Sequence, residues 1–532
     1  MRTLKALLPT ALLLFLAAPA NAATFNPVPG PDGSDASPGN GICATSGGVC
    51  TLRAAVQESA NLAGPDDILL GPGAHSLGSS LSISNHDVTI RGAGARATTI
   101  QGVGSSDRVL HISDSTTQIR DLRITGGSTG PGAGLDVSGT GSVLAERVAI
   151  TDNHSTFIAD DYGGGISKLD TGSLTIRSSL VARNSVTVTS SNPTQLARGG
   201  GIAHGGGALT IVNTTIEGNT ATGNGAAGAY GGGLHSGGGT ATLRNVTLAR
   251  NSVAGPDAHG GNLAAHGTSQ VTVENSIVAQ GTAPSADTNC YRFTTATITP
   301  AGRNLDSGSS CAFGAPHLSN TSAALGPLAN NGGPTDTLMP ELGSAAIDGA
   351  LGCPPSADDQ RGVSRPAGAA CDIGAVERVP ETVGLGGPPA PDLVAPIVRD
   401  FVISARRFRT GRATRRTRAL PRSINFVFHL SEPSFVDFFF QRRATGRRGR
   451  GGGCQTPSRR NRSGRRCLRW LPAGSLADNL PEGVQSVRFG GGVTVRGRGR
   501  TLGPGLYRVG LEAVDRAGNR STPVTGRFQI VR

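Results

Sequence analysis

The chain has 532 residues, a net charge of +13 and only 4% aromatic residues, with 80 glycines, about twice the ~7% of an average protein. Without a collagen period, so many glycines mean many tight turns, and apolar residues recurring at strand spacing exclude a disordered chain. Beyond the N-terminus no segment has the roughly 18 to 20 uninterrupted apolar residues of a membrane helix, so no transmembrane segment is expected in the mature chain.

Residues 1–22 read as a secretory signal peptide. Arg2 and Lys5 form its charged start, Leu7 to Ala18 its apolar stretch, and Ala20-Asn21-Ala22 its cleavage site. The expected location is therefore secreted or extracellular, including association with the cell wall. Residues 23–64 give an extended lead-in and a capping helix. Leu52, Ala55, Val56, Ser59 and Ala63 share one helical face, and Gly64-Pro65 stops the helix. One amphipathic helix is a natural cover for the open end of a strand stack.

From residue 65 to 290 the pattern is strand and turn. ILL from Ile68, LSIS from Leu81, VTIRG from Val88, TTIQG from Thr99 and VLHIS from Val109 are short strands. A clear repeat follows: LTIRSSLVARN from Leu174, LTIVNTTIEGN from Leu209, ATLRNVTLARN from Ala241 and VTVENSIVAQG from Val271. The period is 35, then 32, then 30 residues, with a Gly-rich turn ahead of each block at Gly163, Gly199, Gly231 and Gly260. Two weaker copies start at Thr117 and Val143. An all-strand unit at this period stacks into a β-solenoid. Asn153, Asn184, Asn219 and Asn251 share one repeat position, where stacked Asn side chains can satisfy each other and nearby backbone groups. HSTFIADDY from His154 and VTSSNPTQLARG from Val188 read as loops concentrated at one corner, the usual way such a stack builds a binding face. His204, His235 and His266 lie near successive Gly turns at different offsets, so they read as lone surface histidines and not as a metal ladder.

Residues 291–378 lose the strand period and read as the C-terminal cap of the stack. Residues 379–395 are a Pro/Gly linker, and residues 396–532 read as a small, basic β-sandwich of immunoglobulin type. This last domain holds 29 Arg, no Lys and 7 Asp or Glu, a balance of +22, so the rest of the chain carries −9 of the overall +13. Lys5 and Lys168 are the chain's two lysines, a pattern that GC-rich coding bias would also give. A basic domain in an exported chain fits anionic wall polymer or acidic glycan, not nucleic acid. Eight cysteines fall as neighbours, and local bridges Cys43–Cys50, Cys290–Cys311, Cys353–Cys371 and Cys454–Cys467 are expected. No Cys-x-x-Cys spacing supports zinc.

Several motifs resemble known families. CTLRAAVQESANLAGPDDILL from Cys50 resembles the CSLREA-type segment of bacterial surface proteins. GPLANNGGPTDTLMPELGSAAIDGA from Gly326, DQRGVSRP from Asp359 and CDIGAVE from Cys371 resemble the bacterial choice-of-anchor Q domain. The Arg-rich end resembles the Ig-like sandwich domains of exported actinobacterial proteins. The resemblance implies a right-handed parallel β-helix, a pectin-lyase-like solenoid, displayed at a cell surface. The family's Leu-Pro-x-Thr-Gly sorting signal is not seen here. Asp348, Asp359, Arg361, Arg365, Asp372 and Glu377 all lie in the signature motifs and read as the lock of the cap, with the two arginines paired to Asp372 or Glu377.

Catalysis has thin support. Hydrolysis needs two carboxylates about 5 to 9.5 Å apart, and a lyase needs a basic residue near carboxylate-bound Ca²⁺. Asp152, Asp160, Asp161 and Asp170 are the candidates for ligand or Ca²⁺ binding. Asp160-Asp161 superficially resembles the paired Asp of polygalacturonases, but the Gly-His-Gly and Arg-Ile-Lys that should follow are missing. No catalytic residue, cofactor or metal site is assigned. The expected function is non-enzymatic binding of carbohydrate or cell-wall polymer, with a polysaccharide lyase or glycoside hydrolase as the alternative.

Overall fold

The computed structural model describes residues 23–103, 108–158, 161–293, 295–353, 358–380, 395–410, 420–432, 434–448, 454–458, 461–480, 483–495, 498–515 and 519–531. Residues 1–22, read above as a signal peptide, and most of the linker fall outside them. The chain divides into two compact units, 1–380 and 381–532.

The first unit is a β-solenoid. One coil shows the plan: Ile202–His204, then Ala208–Glu217, Thr220–Gly225 and Gly228–Tyr230. Each strand pairs in parallel with its equivalent one coil away, building an eight-stranded sheet, a long seventeen-stranded sheet and two four-stranded sheets. Inward columns run in register. Leu174, Leu209, Ala241 and Val271 form one, and Ile176, Ile211, Leu243 and Val273 the next, all at most 1% exposed. Alternation on a pleated strand imposes this, since a one-residue slip would turn every one of them outward. The long sheet bends at one left-handed residue per coil. Asn213, Asn245 and Asn275 hold that position with φ of 47°, 52° and 45°, the conformation Asn tolerates best after Gly.

The two stretches read as corner loops are largely strands. His154–Phe157 and Ser185–Ser190 belong to one four-stranded sheet, and Asp161–Tyr162 and Leu196–Arg198 to the other. Val186, Val188, Ala197, Ala221, Ala227, Ala229, Val253 and Ala258 give them a small core of their own. Alanine and glycine dominate here, which weakens the strand signal in sequence. The stack also continues past residue 290: Thr297–Ala301 pairs with Gln270–Glu274, and Leu305–Asp306 with Ile277–Ala279. This last coil lacks the Gly triplet, so its repeat signature is lost.

The asparagines form a one-way chain through the interior. Asn153 Nδ2 donates to Asn184 Oδ1 (2.9 Å), Asn184 to Asn219 (3.0 Å) and Asn219 to Asn251 (2.9 Å). It then extends through Asn262 (2.9 Å) and Asn289 (2.8 Å) and ends on the carboxylate of Asp306 (2.6 Å). Asp306 is fully buried and takes two further backbone N–H donors, from Gly308 and Cys311. The amides of Asn184, Asn219 and Asn251 each lie over the third residue of a Gly triplet: a Cβ at Gly165 would come 2.8 Å from Asn184. Where the ladder switches sides, the residues exchange places. Asn262 occupies the triplet's third position, and Gly281 stands at the Asn position, where a Cβ would come 2.7 Å from Asn262 Nδ2.

A helix over Leu52–Ser59 covers the first coil, burying Leu52, Ala55 and Val56 in the solenoid core. It starts at Thr51, whose hydroxyl accepts from Ala54 N, an N-cap. It is shorter than its apolar spacing suggests. Asn61 Nδ2 donates to the carbonyl of Gln57 and satisfies it, and Ala63 is exposed.

Residues 303–378 do more than close the far end. Phe313 and the Cys290–Cys311 bridge join the core of the last coils. The remainder lies along the side of the stack. Gly374 N donates to Asn275 O, Ala375 N to Thr247 Oγ1, and Thr215 Oγ1 to Gln360 Oε1. Arg96, in an early coil, pairs with Asp336. The signature residues hold this strap together. Arg365 meets Glu377 at 2.8 Å with both side chains 0% exposed, and Arg361 meets Asp359 at 2.8 Å. Asp372 accepts from the N–H groups of Asp348 and Arg378, and Ala370 N donates to Asp348. A strap explains the motifs better than an end cap, because its contacts repeat along several coils.

The second unit has a three-stranded antiparallel sheet and a larger, mainly antiparallel sheet. Phe426 and Phe428 of the first meet Phe438, Phe440 and Phe528 of the second in one core. The four disulfides have Cα separations of 5.0, 4.7, 5.3 and 5.9 Å in chain order.

Candidate functional site

The sequence-derived ligand candidates do not assemble. Asp152 sits at a left-handed turn (φ 59°) between Arg123 and Arg183, with Arg183 Nε at 2.9 Å. Burial works against its ionised form, yet the bonds from Arg183 and Thr151 and the charges of Arg183 and Arg123 hold its carboxyl below the usual range. Asp170, on a different turn, accepts from Gly139 N at 2.8 Å. Asp160 and the side chain of Asp161 lie outside the described residues. Among the described residues, no group of three or more His, Cys, Asp or Glu is placed to hold a metal ion.

A different constellation lines the outer face of the eight-stranded sheet. One outward register column reads His111, Asp136, Ser167, Ala203, His235, Ala264, Tyr291. The adjacent four-stranded sheet supplies a second column: Tyr162, Arg198, Tyr230, His259. In the four coils that carry both sheets, only a three-residue Gly-rich turn separates them, and it brings the columns together. Tyr291 stacks on His259 with ring centroids 4.3 Å apart and lies 5.8 Å from Tyr230; His266 stacks on Phe293 at 4.8 Å. Arg198 lies over the Tyr162 ring at 4.7 Å. In a chain so poor in aromatics, this is a concentrated patch.

Carboxylates border the rings. His259 lies between Asp257 and Asp287, each 3.0 Å from one ring nitrogen. Tyr230 donates its hydroxyl hydrogen to Asp257. Burial, and then the bond to Asp257, raises the Tyr230 phenol above its ordinary value. Asp257 keeps 55% of its side chain exposed, so it remains open to a ligand.

Two of the three histidines expected at the surface, His204 and His235, are buried instead, while His266 is half-buried. His204 faces the core between Lys168 and Ser236, and its Nδ1 lies 3.0 Å from Ser236 Oγ. Burial, reinforced by the Lys168 charge, pushes His204 down to about 4. Lys168 is itself fully buried and donates to the carbonyls of Asp170 and Gly206. His235, 4% exposed at the floor of the patch, has no protein partner at either ring nitrogen, and burial keeps it neutral. The patch left one signal in the sequence: Tyr162, Arg198 and Tyr230 each immediately precede a Gly triplet, and His259 precedes Gly260-Gly261-Asn262.

Compared with known proteins, the chain matches no family model and resembles no curated protein significantly.

Proposed function

We propose that this is an exported, non-enzymatic β-solenoid protein of the cell surface or extracellular space that binds a carbohydrate chain along the aromatic patch. One observation carries the reading: the stacked rings of Tyr230, His259 and Tyr291, drawn from the two adjoining columns, with Asp257 and Asp287 beside them. A sugar presents apolar C–H faces and hydroxyl rims. The faces pack on aromatic rings, and the hydroxyls donate to carboxylates. Repetition along the coil axis suits a polymer better than a single sugar. Four disulfides fit an oxidising compartment. No helix among the described residues is long and apolar enough to cross a membrane. The likeness to CSLREA-type and choice-of-anchor Q proteins supports surface display, with the strap at 303–378 as the signature domain and an Ig-like second unit.

The mature protein should bind uncharged polysaccharides on a glycan array, and His259→Ala and Tyr291→Ala should each weaken that binding at least tenfold. Binding unchanged in both variants, or no glycan bound, would defeat the reading. The linked Tyr230, Asp257, His259 and Asp287 also support the enzymatic alternative, since an exposed carboxylate beside an imidazole suits proton transfer. Release of reducing ends or unsaturated uronates, abolished by His259→Ala, would establish it.

A further inference from the structure

The larger sheet of the second unit extends into a ribbon. Strand Ser434–Arg448 pairs with Arg466–Leu480 along its length, but its other neighbour, Gly505–Val514, reaches only Arg442. Beyond that point the ribbon continues with the short strand Cys454–Gln455 at its tip, where Cys454 is bridged to Cys467.

No Asp or Glu occurs between Asp437 and Asp478, whereas 11 arginines do. Coding bias accounts for Arg in place of Lys. It does not account for a 40-residue stretch without a single carboxylate. The register sorts the basic side chains by face, because directly paired residues project together. Arg443 is paired with Trp470, and Arg447 with Arg466. The same outward face continues onto the body, where Gln441 is paired with Arg508, and Arg508 with Arg527. Arg508 and Arg527 lie 5.2 and 5.8 Å from the centre of the Trp470 ring. Five guanidinium groups therefore share one sheet face with the chain's single tryptophan. Arg443 and Arg447 are about 13 Å apart along the strand. Two arginines directly opposite each other repel and destabilise a strand pair unless a counter-charge sits between them. The nearest carboxylates on this face, Asp437 and Glu512, are paired with each other across strands, and Glu512 is taken by Arg520.

We propose that this ribbon face is a second binding site, distinct from the aromatic patch, for a linear polyanion bearing closely spaced phosphate or carboxylate groups. Guanidinium groups bind both anions in a bidentate manner. A narrow two-stranded arm with charge along its length fits an extended polymer. The site draws on no residue of the solenoid, so it stands or falls independently of glycan binding there.

The test uses the full mature chain. Arg443→Gln, Arg447→Gln and Arg466→Gln are combined in one variant. The control combines Arg399→Gln, Arg406→Gln and Arg488→Gln, which removes the same charge from exposed positions elsewhere in the unit. Inorganic polyphosphate and polygalacturonate are the probes for the phosphate and carboxylate sources. The ribbon variant should bind at least one of them tenfold or more weakly than wild type, and the control less than threefold. The dependence on salt should also flatten in the ribbon variant alone. Arg443→Lys combined with Arg447→Lys and Arg466→Lys keeps the charge without the bidentate fork and should bind more tightly than the Gln variant but less tightly than wild type, which separates charge from folding. Equal losses in ribbon and control variants would reduce the effect to net charge and overturn the proposal. So would wild-type binding to neither polymer, or a preference for duplex DNA or phosphatidylglycerol vesicles over both.

Discussion

The asparagine ladder gives the sharpest test of how the solenoid is held. Asn219 makes four side-chain hydrogen bonds. Its Nδ2 donates to Val181 O (3.0 Å) and Asn251 Oδ1 (2.9 Å), and its Oδ1 accepts from the N and Nδ2 of Asn184 (both 3.0 Å). Asn219→Ala removes all four. Asn184 Nδ2 keeps Ile150 O, and Asn251 Oδ1 keeps the backbone N–H of Asn219. The Asn184 N–H loses this acceptor at a buried position, which costs about 1–3 kcal/mol, and the other lost bonds add about 0.5–1.5 kcal/mol each. The expected total is roughly 4 kcal/mol. Asn219→Asp should be worse: it sets a carboxylate oxygen against Asn251 Oδ1 and buries an unpaired charge. A stack of coils need not unfold in one step. Hydrogen exchange at the Asn184 amide is therefore the better assay, read beside urea unfolding. A loss below about 1 kcal/mol, or an aspartate as stable as wild type, would show that the ladder only fills space.

Three further outcomes follow from buried charge and the ladder's terminus. His204 stays neutral in the fold to about pH 4, whereas an unfolded His takes up a proton near 6.5. The unfolded state therefore binds more protons between those values, and the contribution of His204, at most about 3 kcal/mol, is present above pH 6.5 and lost as pH falls towards 4. Burial pushes Asp372 up to about 6, which acts in the opposite sense. The measurement is therefore the stability difference between wild type and His204→Gln at pH 7.5 and 4.5, from which Asp372 cancels; wild type should lose more. Glu377→Gln leaves the Arg365 charge buried without its partner and should cost about 3–5 kcal/mol, seen as faster proteolysis of the strap in 318–353. Asp306→Asn replaces an acceptor-only group with one whose NH₂ must face either Cys311 N–H or Asn289 Nδ2, and should cost about 1.5–3 kcal/mol by urea unfolding.

The stack was legible because its code is periodic. Leu174, Leu209, Ala241 and Val271 announce a shared inward face, and Asn184, Asn219 and Asn251 a shared turn. The side sheets were not, because strands such as Gly228–Tyr230 and Leu196–Arg198 are two or three residues of alternation at most. The burial of His204 was hidden for a related reason. His204 lies two residues after the inward-facing Ile202, so strand parity sends it to the core, and only the strand boundary reveals that parity. The strap was recognised as a motif, but its path along the stack depends on contacts such as Gly374 N with Asn275 O, between residues 99 apart in sequence.

The aromatic patch and the ladder are two consequences of one register. In each central coil, the residue before the Gly triplet projects onto the outer face, and the triplet's third position leaves room for an Asn amide inside. Gly231 adopts φ 65° to make the turn, Tyr230 precedes it, and a Cβ at Gly233 would come 2.8 Å from Asn251 Nδ2. A three-residue turn therefore fixes the ring's position against the buried amide. The amides lock each coil to the next, so the rings inherit their spacing from the core. This explains why the ladder can exchange Gly and Asn between Gly281 and Asn262 without losing the column: His259 still precedes its Gly-rich turn, one coil on, and still meets Tyr291. A one-residue insertion ahead of Gly231 should accordingly abolish stacking in the patch while sparing the coils on either side. Insertion between the third glycine and Leu234 should instead break the ladder and unfold the coil. If both insertions gave the same loss of stability, the turn would not be what couples the surface to the core.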